Sequence, residues 1–109
     1  MTPYYDDGKG IMIYHGDCRE GLPSLHKVEL IVTSPPYGNL RDYGGHDVNI
    51  AECIYYIADA AHIIVWVEGD QTINGSESAA SFNHAISFLQ RGLKLHDTMI
   101  YEKNGPAYP

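Results

Sequence analysis

The segment ELIVTSPPYGNLRDYGG, Glu29 to Gly45, sets an apolar run directly against Thr33-Ser34-Pro35-Pro36-Tyr37. Val28 to Ser34 is nearly continuous in apolar residues after Glu29, the pattern of a strand covered on both faces of a parallel sheet. It predicts a central strand. Proline donates nothing to a sheet ladder, so two in succession mark where pairing stops. The Pro-Pro-Tyr that follows reads in two ways. One is a rigid turn with Tyr37 packed on the surface. In the other, two residues without N–H and with fixed φ leave carbonyls with no neighbouring donors. Ser34 then adds a hydroxyl acceptor and Tyr37 a flat face, a set that suits an amino group carried on an aromatic ring.

Outward from this segment, GIMIYHGD (Gly10 to Asp17) reads as a strand ending in a loop, and CREGLPSL as a helical turn or two before Pro23. YGNLRDYGGHD, with three glycines, reads as a loop at a strand's carboxyl end, where open α/β sheets bind ligands. Ile50, Cys53, Ile54, Ile57, Ala58 and Ala61 recur at the spacing of one helical face, predicting an amphipathic helix over Asn49 to Ala61. His62 to Asp70 repeats the strand-then-Gly-Asp pattern. QTINGSESAAS reads as a polar loop in which Ser78 or Ser81 is placed to cap the next helix, Ser81 to Arg91. That helix sets Phe82, Ala85, Ile86 and Leu89 on one face and stops at Gly92. LKLHDTMIYEK is expected as a last strand, and the tail NGPAYP has no element of its own. The alternation predicts a three-layer α/β sheet with right-handed crossovers.

The chain has 109 residues, enough for one domain with a core and too few for two. Fourteen acidic residues against seven basic ones give a formal charge of −7, which argues against a stand-alone nucleic-acid binder. The longest apolar run, Ile63 to Val67, is far short of a membrane span, and the start MTPYYDDGKG is unlike a signal peptide. A cytoplasmic protein without membrane contact is expected. Cys18 and Cys53 lack metal-ligand spacing and read as free thiols. The six histidines are scattered, so no metal is assigned. Trp66 and Tyr55 read as core residues, and Arg41 and Lys103 as solvated charges.

TSPPY after an apolar strand resembles catalytic motif IV of the DNA methyltransferases that modify exocyclic amino groups with S-adenosylmethionine. IYHGDCREGLPSL, IIVWVEGD, QTINGSES and HDTMIYEKN are similar to successive segments of phage and bacterial members, so the likeness covers essentially the whole chain. It implies a partial Rossmann-like S-adenosylmethionine-dependent methyltransferase sheet with flanking helices, residues 1–109 being one incomplete catalytic domain. The implied partner is double-stranded DNA with the target base flipped out. By transfer from the motif, Tyr37 stacks on that base, while the Ser34 side chain and the Pro35 carbonyl accept its two amino hydrogens, with Pro36 completing the site. Asp17 in HGDC, with Cys18 beside it, either corresponds to the edge of the cofactor's adenosine or is simply a polar strand end. Asp70 either borders the base pocket or simply ends its strand.

In the family a serine before Pro-Pro-Tyr is more typical of cytosine-N(4) enzymes and Asp or Asn of adenine-N(6) enzymes, so cytosine is expected, with adenine as the alternative. The protein glutamine methyltransferases carry Asn there, which Ser34 disfavours. Nothing resembles the Phe-x-Gly-x-Gly cofactor loop or the segment that reads a recognition sequence. The expectation is an amino-terminal catalytic half, completed by a carboxy-terminal half in the same or another chain. The reading from a different class is a remnant without catalysis that persists as a partner-binding piece.

Overall fold

The computed structural model describes residues 1–36 and 49–102. Tyr37, Arg41, Lys103, the glycine-containing loop and the tail lie outside the described residues.

The chain enters as a small antiparallel pair. β1, Tyr5–Asp6, faces β2, Met12–Ile13, with Tyr5 opposite Ile13. The Asp6 and Asp7 carboxylates accept the Gly8 and Lys9 amides at 2.8 Å each, which closes the turn between them. The strand expected within Gly10 to Asp17, ahead of its loop, is two residues long, and its partner is the chain start. Next come α1, Cys18–Gly21, and a 3-10 turn, Leu22–Ser24, which tolerates Pro23 because the first turn of a helix needs no amide there.

The centre is a parallel pair joined by a helix. β3, Val28–Thr33, aligns with β4, Ala61–Trp66, with Val28 opposite Ala61 and Thr33 opposite Trp66. Between them runs α2, Ile50–Ala58, whose N-cap Asn49 accepts the Glu52 amide at 3.1 Å. The predicted stripe on α2 is the core: Cys53, Ile54, Ile57 and Ala58 are buried, and Ile54 is 1% exposed. Ala61 is buried as well, but as the first residue of β4 and not as helix.

After β4, Thr72–Ile73 (β5) and Ser76–Glu77 (β6) make a hairpin. Asn74 and Gly75 between them have φ of 53° and 80°, the left-handed pair that a two-residue hairpin turn requires. What reads as a polar loop is therefore a hairpin with an Asn-Gly turn. α3, Ala80–Gln90, follows and packs beside α2.

The face that α3 buries differs from the expected one. Phe82 is 66% exposed, and Ile86 and Leu89 are exposed too, whereas Ser81, His84, Ala85 and Phe88 are half-buried. The cause is Trp66, whose ring meets Phe88 edge-on at 5.0 Å between centroids and His84 at 5.7 Å. Edge-to-face aromatic contacts add to area burial, and they turn the helix toward Trp66. β3 also departs from expectation. Ile31 and Thr33 are half-buried, but Val28, Leu30 and Val32 on the opposite pleat are exposed, as is Ile63 beside Leu30. Among the described residues nothing lies over that face, so the three-layer arrangement is present as one layer of helices on one two-stranded parallel sheet. Residues 93–102 form no strand. A strand needs a partner for its amides and carbonyls, and no described strand pairs with this stretch. No helix among the described residues is long and apolar enough to cross a membrane.

Burial separates the two helices in a testable way. Ile54→Ala is expected to cost about 2 to 4 kcal/mol of unfolding free energy, and Phe82→Ala less than about 0.5 kcal/mol. Urea unfolding of both variants checks this; equal losses would contradict the observed packing of α3.

Candidate functional site

Parallel strands deliver their carboxyl ends to the same edge of the sheet. Here the ladder runs one step past both strands, since the Val67 amide donates to the Thr33 carbonyl at 2.9 Å. Ser34, Pro35 and Pro36 leave β3 beside Glu68 and Gly69 leaving β4. Ser34 is exposed, Pro35 buried and Pro36 half-buried. A cavity of about 150 Å³ opens at this edge, bounded by Pro36, Ile50 at the start of α2, Glu68, Gln71, Ser78 and His84. Of the four residues expected in the catalytic motif, Ser34, Pro35 and Pro36 follow the carboxyl end of β3, Pro36 alone bounding the cavity, and Tyr37 lies beyond the described residues.

Asp70 has a clear structural task. Its Oδ1 accepts the Ser81 amide at 2.9 Å and the Ser78 hydroxyl at 3.2 Å, and its Oδ2 accepts the Ser81 hydroxyl at 2.5 Å. These bonds, the Ser81 hydroxyl foremost, hold the carboxyl below its usual range. The N-cap position, Ala79, makes no side-chain cap and has φ 58°. The acceptor for the first turn of α3 therefore comes chiefly from Asp70, and the expected cap at Ser78 reduces to a long bond of 3.4 Å from the Ala80 amide. Ser81 is not the cap; its amide and hydroxyl are what the cap receives.

Glu68, His84 and Trp66 form a second cluster, which sequence reasoning missed. Glu68 Oε2 lies 2.5 Å from His84 Nδ1, and the Trp66 Nε1–H is shared between that oxygen and His84 Nδ1 at 3.3 Å each. An ionised carboxylate only accepts, so with Glu68 ionised the 2.5 Å contact takes its proton from His84 Nδ1, the Trp66 N–H then serving the carboxylate oxygen. The side chains are 5% exposed for Glu68 and 17% for His84. Sixteen residues separate the two, a spacing that carries no signal in a sequence.

Asp17 and Cys18 lie at the start of α1, which packs beside α2. Asp17 caps α1 and accepts from Arg19 at its backbone amide, Nε and Nη2, the last at 2.6 Å. Arg19 brings its carboxyl down to about 2. Arg19 also reaches Glu52 in the first turn of α2 at 2.9 Å, tying α1 to the amino end of α2. Cys18 and Cys53 are free thiols, as expected. Burial pushes the Cys53 thiol up to about 11, with Cys18 beside it adding to the shift. Among the described residues no group of three or more His, Cys, Asp or Glu is arranged to hold a metal ion. Trp66 is half-buried and Tyr55 exposed, its ring covered by the Arg91 guanidinium at 4.0 Å; Tyr55 is therefore a surface residue and not core.

Over 97 residues the chain is 42% identical to the orphan methyltransferase M.BamHII of Bacillus amyloliquefaciens, a match that covers 86% of this chain and 34% of that protein. The chain is thus homologous to a methyltransferase and spans about a third of the length of the relative it matches. No family model matches it, and no solved structure does.

The cap at Asp70 sets a pH dependence. Because the folded carboxyl is held low, its contribution is present above the ordinary Asp range of about 3.9 and is lost as pH falls through the lower folded value. Asp70→Ala is expected to cost about 1 kcal/mol at pH 7, with the gap to the parent chain closing below about pH 4. Thermal unfolding from pH 2 to 7 measures it; a gap that stays constant over that range would count against the cap.

Proposed function

We propose that this chain is the catalytic part of a DNA methyltransferase that moves a methyl group from S-adenosylmethionine to the N(4) amino group of cytosine. The observation that carries the reading is the position of Ser34-Pro35-Pro36 at the carboxyl end of a parallel strand, with Pro36 on the rim of a cavity, in a chain homologous to a methyltransferase. An exocyclic amine conjugated with its ring is a poor nucleophile. It reacts when acceptors hold its hydrogens and aim its lone pair at the methyl carbon. In this reading the Ser34 hydroxyl and the Pro35 carbonyl are those acceptors, and Tyr37 is the face on which the flipped base stacks. Such stacking is worth roughly 1 to 3 kcal/mol, which offsets part of the cost of flipping.

S-adenosylmethionine supplies an electrophilic methyl group when bound. Asp17, with Cys18 beside it, would border the adenosine part of the bound cofactor. The fit is conditional on Arg19, which already fills the acceptor positions of that carboxylate. The pair is partly exposed, so exchanging it for ligand donors is inexpensive. The formal charge of −7 leaves DNA phosphates to be neutralised by other parts of the enzyme. The exposed apolar row Val28, Leu30, Val32 and Ile63 is where the remaining polypeptide, in the same or another chain, would complete the sheet's second face. Ser34 favours cytosine over the adenine-N(6) alternative by the family correlation alone.

Nucleoside mass analysis of DNA treated with the complete enzyme is expected to find N(4)-methylcytosine. N(6)-methyladenine would select the alternative, and neither product would leave a non-catalytic remnant. In the same assay Tyr37→Phe is expected to be mild, whereas Tyr37→Ala loses about 1 to 3 kcal/mol of productive positioning with melting unchanged. A destabilised Ala variant with normal turnover per folded molecule would show Tyr37 to be an ordinary turn residue.

A further inference from the structure

Glu68 and His84 belong to no part of the Ser34 to Tyr37 motif, yet they bound the same cavity as Pro36. An enclosed carboxylate is costly unless hydrogen-bonded, and a role in packing alone would be met by an apolar pair. A carboxylate bonded to one nitrogen of an imidazole does something more specific. It fixes the tautomer, leaves the other nitrogen with a lone pair, and stabilises the imidazolium once that nitrogen takes a proton. Nδ1 of His84 lies 2.5 Å from Glu68 Oε2, and in the tautomer that donates there the lone pair sits on Nε2. Trp66 donates to the same carboxylate oxygen and stands edge-on to the His84 ring, which holds both partners in place.

We infer that His84 is the proton acceptor of the transfer reaction and that Glu68 is the residue that positions it, an inference resting on the methyl-transfer reading above. As the amino nitrogen's lone pair forms the new N–C bond, the C–S bond of the sulfonium breaks and its electron pair remains on sulfur. The nitrogen is left with a positive charge and one hydrogen too many. The N–H electron pair returns to nitrogen, and the proton passes to Nε2 of His84. Glu68 balances the imidazolium charge across the Nδ1–H bond until the proton leaves to water. The Ser34 and Pro35 acceptors orient the amine, and the histidine completes the reaction by removing its proton.

Two readouts test this. Long-range proton–nitrogen correlation spectra of the folded chain report the ring tautomer without any methyl transfer. Nδ1–H is expected for His84, with a larger Nε2–H share in Glu68→Gln; an Nε2–H tautomer in the parent chain overturns the inference. The second readout is single-turnover methyl transfer by the complete enzyme. His84→Ala is expected to be about 100-fold slower per folded molecule and to regain roughly tenfold with added imidazole, with KM for DNA little changed. His84→Gln, which keeps a donor toward Glu68, is expected to be slowed equally and serves if the Ala variant does not fold. Rates equal to the parent's, or a loss that imidazole leaves untouched, overturn the inference while the methyl-transfer reading stands. A parent enzyme that transfers no methyl group removes both.

Discussion

The parallel pairing of β3 with β4 is the constraint from which the rest of this structure follows. Two parallel strands cannot be joined by a tight turn, so the chain must cross back over the sheet, and α2 makes that crossing. Its buried stripe then lies against the sheet and forms the core, with Ile54 at its centre. The same geometry brings the carboxyl ends of both strands and the amino ends of α2 and α3 to one edge. Pro36, Ile50, Glu68 and Ala80 meet there only because the strands run the same way. A hairpin of the same two sequences would have sent Pro36 and Glu68 to opposite ends.

At that edge, polar interactions decide how the second helix sits. Asp70 takes the Ser81 amide and hydroxyl, and Trp66 takes the edges of Phe88 and His84. With its first turn and its middle both anchored, α3 cannot rotate to bury Phe82, Ile86 and Leu89. The rotation it adopts sets His84 over Glu68 at the cavity. The packing that looks unfavourable for a helix considered alone is what assembles the carboxylate–imidazole pair.

Among the described residues one face of the β3–β4 sheet is covered by helices and the other is bare. An apolar row at Val28, Leu30, Val32 and Ile63 is the kind of surface that soluble domains cover, and the chain corresponds to about a third of its methyltransferase relative. In the proposed reading the strongly acidic charge points the same way, since basic surface for DNA would come from other polypeptide. The proposed division of labour gives this chain the handling of the amino group, and gives its complement the grip on DNA and much of the cofactor.

Elements that rest on local chemistry were legible in the sequence. The apolar run of β3 and its stop at Pro35, the stripe and Asn49 cap of α2, the turn before Pro23 and the end of α3 before Gly92 are each set by periodicity, capping or a missing amide. The Asn-Gly turn of the β5–β6 hairpin was equally local, and its flanking residues read as too polar for strands. The candidate motif at Ser34 to Pro36 was visible because its chemistry is contiguous. Tertiary structure alone decided the rest: which face α3 buries, that Asp70 and not a nearby serine caps it, that the described residues cover β3 on one side, and that Glu68 meets His84. Each of these joins residues that are far apart in the chain, and hydrogen bonds and aromatic contacts depend on direction as well as composition. No spacing rule encodes a direction until the parallel strands have set the two ends side by side.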